Sequence, residues 1–346
     1  MIWVRVLHFA ATVIVVGANF FLIFVAEPAF RRVQNNGVVA AIVRSQLAWI
    51  VWMSIVIVLI SGAAWLVLQS QQMSGLSLAA VFSQGTVWTV LTQTDFGQVW
   101  AARSVLAGVL VGAMFLLQFE HWVNSYPMRV LTVLLAACLA GTLAWAGHAA
   151  ANADSDIEGT VHLTADILHL VAAAAWVGSL VPLAVLLGAA GRIRDESSVA
   201  MAREATLRFS TLGIASVGTL LATGIVNSWV LAGSVHALFG TDYGRLLMVK
   251  VALFLLMLSI ATINRLRLTP RLVQKLDFVG AQDALRQLRT NSLIEATLGS
   301  IILIIVGVLG TLPPGLHEQA TWPFAIPLRG VASGCSAGPG ALPLLT

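Results

Sequence analysis

The chain has 346 residues, of which 58% are hydrophobic and only 10% are charged. Soluble globular proteins carry about 25% charged residues, so this composition excludes a soluble enzyme and a disordered or nucleic-acid-binding protein, despite a net charge of +4. The two cysteines, Cys138 and Cys335, provide neither a disulfide framework nor a CxxC metal site. The composition is that of a polytopic membrane protein.

Long apolar runs define the predicted elements. A membrane-spanning helix needs about 20 mostly apolar residues, and eight such runs predict an all-α membrane bundle of eight transmembrane helices. They cover residues 3–26, 47–68, 99–119, 130–150, 162–187, 209–232, 246–264 and 292–312. The first run is longer than the apolar core of a signal peptide and no A-x-A site follows it, so we expect it to be retained.

Positive charge is concentrated in every second loop. Loops 27–46, 120–129, 188–208 and 265–291 hold 14 of the 19 Lys and Arg residues. These loops should face the cytoplasm, which places both termini on the opposite side. The chain has no GxxxxGK[ST] phosphate-binding loop and no cytoplasmic loop long enough for a nucleotide-binding domain, so we expect no nucleotide.

Two pairs of segments indicate an internal duplication. Thr94-Asp95-Phe96-Gly97 leads to Arg103 as Thr241-Asp242-Tyr243-Gly244 leads to Lys250, and Leu7-His8 precedes Gly17 as Leu168-His169 precedes Gly178. We predict two parallel four-helix halves, residues 1–150 and 151–324, followed by a disordered tail, 325–346. We expect Arg103 and Lys250 to snorkel to the membrane interface, with an anion partner as the alternative.

Histidines are concentrated on one side of the predicted bundle. His162, Asp166 and His169 follow at i, i+4 and i+7, which places them on one helical face. The two His lie about 10 Å apart along the axis, too far for one metal ion, but Asp166 can reach either. The candidate metal ligands are His8, His148, His162, Asp166 and His169, with His236, His317, Lys250 and Arg103 as accessory residues.

Several functions are compatible with these residues. Imidazole with carboxylate suits Cu(II), Zn²⁺ or Ni²⁺, whereas Cu(I) would need scattered thioethers. We interpret Met248 and Met257 in the seventh span as apolar packing residues. A cation site, a haem held by two His and a proton relay all remain open, as does a scaffold that only docks a partner.

A series of short strings occurs in a specific order in the second half. They are Asp166-Ile167-Leu168-His169-Leu170, Ala174-Ala175-Trp176-Val177-Gly178, Arg208-Phe209-Ser210, Tyr243-Gly244-Arg245, Asn264-Arg265 and Leu309-Gly310-Thr311-Leu312-Pro313-Pro314, with Gly147-His148-Ala149 before them. Their order resembles that of the CopD family of copper-resistance inner-membrane proteins over residues 1–324. Ser179 departs from this pattern, because a second glycine is expected after Gly178.

The resemblance implies a bacterial inner-membrane protein that transports copper, as Cu(I) or Cu(II), and is not an enzyme. It implies uptake from the periplasm to the cytoplasm and a periplasmic partner of the CopC type. In such a membrane the arginine-rich loops place both termini in the periplasm. It also implies that His148, His162, Asp166 and His169 handle the metal. A haem-binding redox protein is the alternative.

Overall fold

The eight predicted spanning helices are present. The computed structural model describes residues 1–33, 37–119, 125–146, 157–193, 195–232, 235–273 and 278–312. Across these ranges eight helices are long and apolar enough to cross a membrane, and no strand occurs. The helices are α1 (Ile2–Arg32), α2 (Gly37–Ser74), α3 (Asp95–Leu116), α4 (Tyr126–Trp145), α5 (Ile157–Ile193), α6 (Glu196–Val230), α7 (Asp242–Leu272) and α8 (Gly280–Leu309). The predicted all-α membrane bundle is confirmed.

The predicted loops at one end of the bundle are largely helical. This end, which we call the arginine end, is where α1 and α5 finish and α2, α6 and α8 begin. The boundaries predicted at 47, 187, 209 and 292 are wrong by about two to four turns. Hydropathy falls there because charges begin, yet the extensions bury a joint apolar core that includes Val43, Met201 and Leu285.

Local capping explains where one of these extensions starts. Asp195 precedes α6, and its Oδ1 accepts a hydrogen bond of 2.6 Å from the backbone N–H of Ser198. This is the N-cap arrangement that satisfies an otherwise unpaired helical N–H. Hydrogen bonding from Ser198 also holds the pKa of Asp195 below its usual value.

Short helices precede α3 and α7 at the opposite end, which we call the histidine end. Two of them, Leu78–Ser83 and Thr86–Gln93, lead to α3, and Val235–Gly240 leads to α7. Thr94 and Thr241 then cap the two long helices in the same way, because each hydroxyl accepts from a glycine N–H at 3.0 Å. The two copies of the repeated segment therefore form the same local structure.

The helices α1 and α5 form the centre of the bundle. They pack on each other, α1 also contacts α2, α4 and α8, and α5 contacts α6, α8, α4 and α2. Gly17 and Gly178 lie at the crossing, where a Cβ on either glycine would overlap the backbone of the other helix. Ser179 donates a 2.8 Å hydrogen bond to the Gly17 carbonyl. The residue that departs from the family pattern therefore joins the two central helices.

We predict that Gly178→Ala destabilises the bundle, because the added methyl group requires α1 and α5 to move apart. Overpacking of this kind costs about 1–3 kcal/mol, and the obstacle here is backbone rather than a side chain that can rotate. Thermal unfolding in detergent measures the effect. Gly218→Ala on α6, where a Cβ meets nothing within 4 Å, is the matched control. Equal melting temperatures for both variants would contradict the prediction.

Candidate functional site

His8 on α1 is the centre of a buried polar cluster in the first half. Its Nδ1 lies 3.0 Å from Ser61 Oγ on α2, and its Nε2 lies 2.9 Å from Arg103 Nη2 on α3. A guanidinium can only donate hydrogen bonds, so His8 Nε2 must be the acceptor. The ring is therefore the neutral tautomer that carries its proton on Nδ1 and donates it to Ser61. Both ring nitrogens of His8 are occupied.

Arg103 is held in the protein interior by several acceptors. It donates to Thr142 Oγ1 at 2.7 Å and to the Leu139 carbonyl at 3.2 Å, and the residue is only 4% exposed. The snorkelling predicted for Arg103 is wrong, because the residue is buried and both its Nη atoms donate hydrogen bonds inside the bundle, although its Nε is buried without a partner among the described residues. The Trp65 and Trp100 rings enclose His8 at centroid distances of 5.6 Å each.

His169 on α5 makes the corresponding hydrogen bond in the second half. Its Nδ1 lies 3.0 Å from Thr223 Oγ1 on α6. The Thr223 hydroxyl donates its own hydrogen to the Thr219 carbonyl at 2.7 Å, so it accepts the Nδ1–H of His169. The lone pair of His169 is therefore on Nε2, and no hydrogen bond to this atom occurs within the described residues.

Asp166 lies on α5 less than one turn before His169, which places it on the same helical face. Asn227 on α6 donates to Asp166 Oδ1 at 3.3 Å. Lys250 on α7 acts electrostatically on both Asp166 and His169, but the described part of the chain contains no ion pair between Lys250 and Asp166. One imidazole lone pair, one carboxylate and one ammonium group thus share this region.

The two clusters match in spacing but differ in charge. Ser61 and Thr223 take equivalent roles, and Arg103 and Lys250 each follow the capping threonine by nine residues. Three residues before the histidine, however, the first half has Arg5 and the second half has Asp166. The first cluster is therefore strongly cationic, whereas the second combines one cation with one carboxylate.

The remaining predicted ligands are His148 and His162, with His236 and His317 as accessory residues. His162 is buried on α5, one turn before Asp166. His148 and His317 lie outside the described residues, as does the side chain of His236, although its helix is described. Within the described ranges no three His, Cys, Asp or Glu side chains gather closely enough to hold a metal ion.

Sequence reasoning missed Thr223 and Asn227. The available signal was the repeat itself, since Ser61-Gly62 recurs as Thr223-Gly224 on the corresponding helix. Glu295, a single charge within the apolar run of α8, was also overlooked. It is 2% exposed and belongs to a separate polar cluster near the arginine end.

Comparison with known proteins gives consistent matches along the chain. Residues 1–160 match the family model "Copper resistance protein D-like, N-terminal domain" and residues 203–309 match "Copper resistance protein D". The inner membrane protein YebZ of Escherichia coli is 31% identical over 90% of this chain and 97% of its own length. No solved structure gives a significant match.

Two further relatives are named for copper. Copper resistance protein D of Pseudomonas syringae pv. tomato is 31% identical over 66% of this chain and 72% of its own length. Copper transport protein CutJ of Bacillus subtilis is 28% identical over 74% of this chain, which corresponds to 44% of CutJ.

The cluster around His8 and Arg103 leads to a prediction about the stability of the fold. Arg103→Met removes the donor to His8, Thr142 and the Leu139 carbonyl, so the variant should lose about 2 kcal/mol of unfolding free energy, in line with the loss of a charged hydrogen bond. Thermal unfolding in detergent is the measurement, with Arg245→Met as control because Arg245 is paired with Asp242 near the surface. If Arg103→Met unfolds no earlier than the control, the network does not hold the first half together.

Proposed function

Because this chain belongs to the copper resistance protein D family, we propose that it transports copper across the bacterial inner membrane, from the periplasm to the cytoplasm. It is a multi-pass inner-membrane protein of a copper-handling family. Two relatives carry copper resistance or copper transport in their names. Transport, rather than enzymatic conversion, is the activity that an eight-helix bundle with intramembrane polar clusters supports best.

The open Nε2 lone pair of His169 is the observation that carries this proposal. Metal ions bind the deprotonated imidazole nitrogen, and a hydrogen bond at the other ring nitrogen fixes the tautomer that presents it. Thr223 supplies that hydrogen bond at 3.0 Å. Asp166 adds a carboxylate on the same face, and this nitrogen and oxygen set suits Cu(II).

Lys250 limits how tightly the site can bind a copper ion. Its ammonium charge opposes a bound cation, while the Asp166 carboxylate attracts it. Conduction requires a site that binds an ion strongly enough to admit it and weakly enough to release it. A carboxylate balanced by a nearby lysine meets both requirements better than a carboxylate alone.

The first half serves as structural support in this proposal. His8 Nε2 accepts from Arg103, and Arg5 adds a second buried guanidinium nearby, with its Nη1 donating to the Gly310 carbonyl at 2.8 Å. A copper ion would have to displace Arg103 and approach two positive charges. We therefore assign copper capture to the second half and not to both halves.

The topology and the partner are further parts of the proposal. We place the histidine end and both termini in the periplasm, so that a periplasmic copper-binding protein of the CopC type can deliver the ion to His169. Residues 1–150 and 151–324 act as two four-helix halves, and the predicted tail, 325–346, lies outside the described residues. Asp154 and Asp156 in the intervening loop, together with Glu158, attract cations toward this end.

The haem alternative has no observation in its favour. A bis-histidine haem needs two imidazole nitrogens that are free to bind iron, and His8 Nε2 is already hydrogen-bonded to Arg103. The relatives' printed names do not mention haem. Transport of copper is therefore the single function proposed.

We predict that His169→Ala and Asp166→Asn each weaken copper binding by about 10-fold or more, because each removes one of the metal's ligands. Copper content after loading and desalting, and uptake of copper into proteoliposomes, are the two measurements. Both should fall together. Undiminished copper content and uptake in the His169→Ala/Asp166→Asn double variant would contradict the proposal.

Matched hydroxyl variants provide the control. Thr223→Val removes the acceptor for His169 Nδ1–H, and Ser61→Ala removes the acceptor for His8 Nδ1–H. The first should weaken copper binding about 10–100-fold through loss of tautomer control, whereas the second should leave it unchanged. Equal effects from both variants would mean that the two halves contribute equally to copper binding, which would contradict the assignment of copper capture to the second half.

A further inference from the structure

The second half contains another polar cluster, formed by the buried Glu295 and the half-buried Asn264 and Asn291 between α7 and α8. Asn264 Nδ2 donates to Glu295 Oε1 at 2.7 Å, and Asn291 Nδ2 donates to Asn264 Oδ1 at 2.6 Å. The second carboxyl oxygen, Glu295 Oε2, is buried without a hydrogen-bond partner in the described structure. A buried carboxyl oxygen left open is costly, and inside a membrane it marks a functional position.

Glu27 on α1 shows how the same end of the bundle pairs a buried carboxylate with arginine. Its oxygens receive hydrogen bonds from Arg44 at 2.8 and 2.9 Å, and Arg129 lies 3.0 Å from Oε2. Both oxygens of Glu27 are therefore neutralised by arginine. No ion pair to Glu295 occurs among the described residues, although Glu295, at 2% exposure, is more deeply buried than Glu27, at 7%.

One face of α7 joins this cluster to the site at His169. Lys250, Met257 and Asn264 are spaced i, i+7 and i+14, so they align on one stripe with about 10 Å between neighbours. Met257 is completely buried in the core cluster that also contains Trp176 and Leu220. Its thioether, which can serve as a weak sulfur ligand to copper, thus lies midway between the two polar clusters.

The backbone of α7 departs from α-helical geometry at the cluster of Asn264, Asn291 and Glu295. Asn264–Leu268 form a π-helical turn, and Thr269 Oγ1 donates to the Asn264 carbonyl at 2.8 Å. Such turns inside α-helices occur frequently at functional sites. Here the turn begins at the asparagine that contacts the carboxyl group.

We propose that Glu295, Asn264 and Asn291 form a second cation-binding site, which receives the copper ion after it leaves Asp166 and His169 and passes Met257. This inference rests on the proposed transport function and extends it by assigning the route to the interior of the second half. Glu295 Oε2 and the side-chain oxygens of the two asparagines would be the ligands to the cation. The hydrophobic core around Met257 separates the two sites.

The test separates copper capture from copper passage. Glu295→Gln keeps an oxygen to accept from Asn264 but removes the carboxylate, so copper bound at His169 and Asp166 should be retained while uptake into proteoliposomes falls at least 10-fold. Met257→Leu should slow uptake several-fold with binding retained. Ser300→Ala on an exposed face of α8 and Met248→Leu on α7 are the matched controls, and both should behave as wild type.

Each outcome bears on one of the two proposals. Wild-type uptake by Glu295→Gln, with copper still bound, would overturn the second site and leave the proposed function intact. Loss of copper binding in Glu295→Gln, in a protein whose thermal unfolding is unchanged, would contradict a separate second site. Absence of uptake by the wild-type protein would overturn the proposed function and this inference with it.

Discussion

The hydrogen bond from Arg103 to His8 Nε2 determines how the two halves differ. Hydrocarbon offers no water to satisfy a polar group, so each buried donor and acceptor must find its partner within the protein. In the first half, arginine meets this requirement for the histidine and again for Glu27. In the second half, the equivalent histidine lacks that partner at Nε2, and the buried carboxylate Glu295 keeps one open oxygen.

The central contact of α1 and α5 allows this division of roles. Gly17 and Gly178 bring the two helices together at the backbone, and Ser179 ties them with a hydrogen bond. The first half, in which Arg103 hydrogen-bonds to His8 and Thr142, packs through α1 against α5, the helix that carries Asp166 and His169. Precise ligand positions depend on such support, because a metal site loses affinity when its surroundings leave it loose. Stability and binding are thus assigned to different halves of one bundle.

The sequence predicted the number of helices because the length of an apolar run follows directly from membrane thickness. It also predicted that Asp166 and His169 share a face, since helical spacing decides this locally. It could not predict that Arg103 donates a hydrogen bond to His8 Nε2, because that contact depends on how α1, α3 and α4 are rotated against one another. Glu295 was missed for a related reason. A single charge in an apolar run has no spacing pattern, and only the fold shows that Asn264 donates to Glu295 and that Asn291 in turn donates to Asn264.

The central claim, that copper binds in the second half alone, is tested most directly by locating the metal. Anomalous diffraction at the copper edge, from crystals of the copper-loaded protein, gives the ion's position without reference to transport. The account predicts an anomalous peak within bonding distance of His169 Nε2 and Asp166 and none beside His8. A peak of equal height at His8, with Arg103 displaced from Nε2, would contradict it.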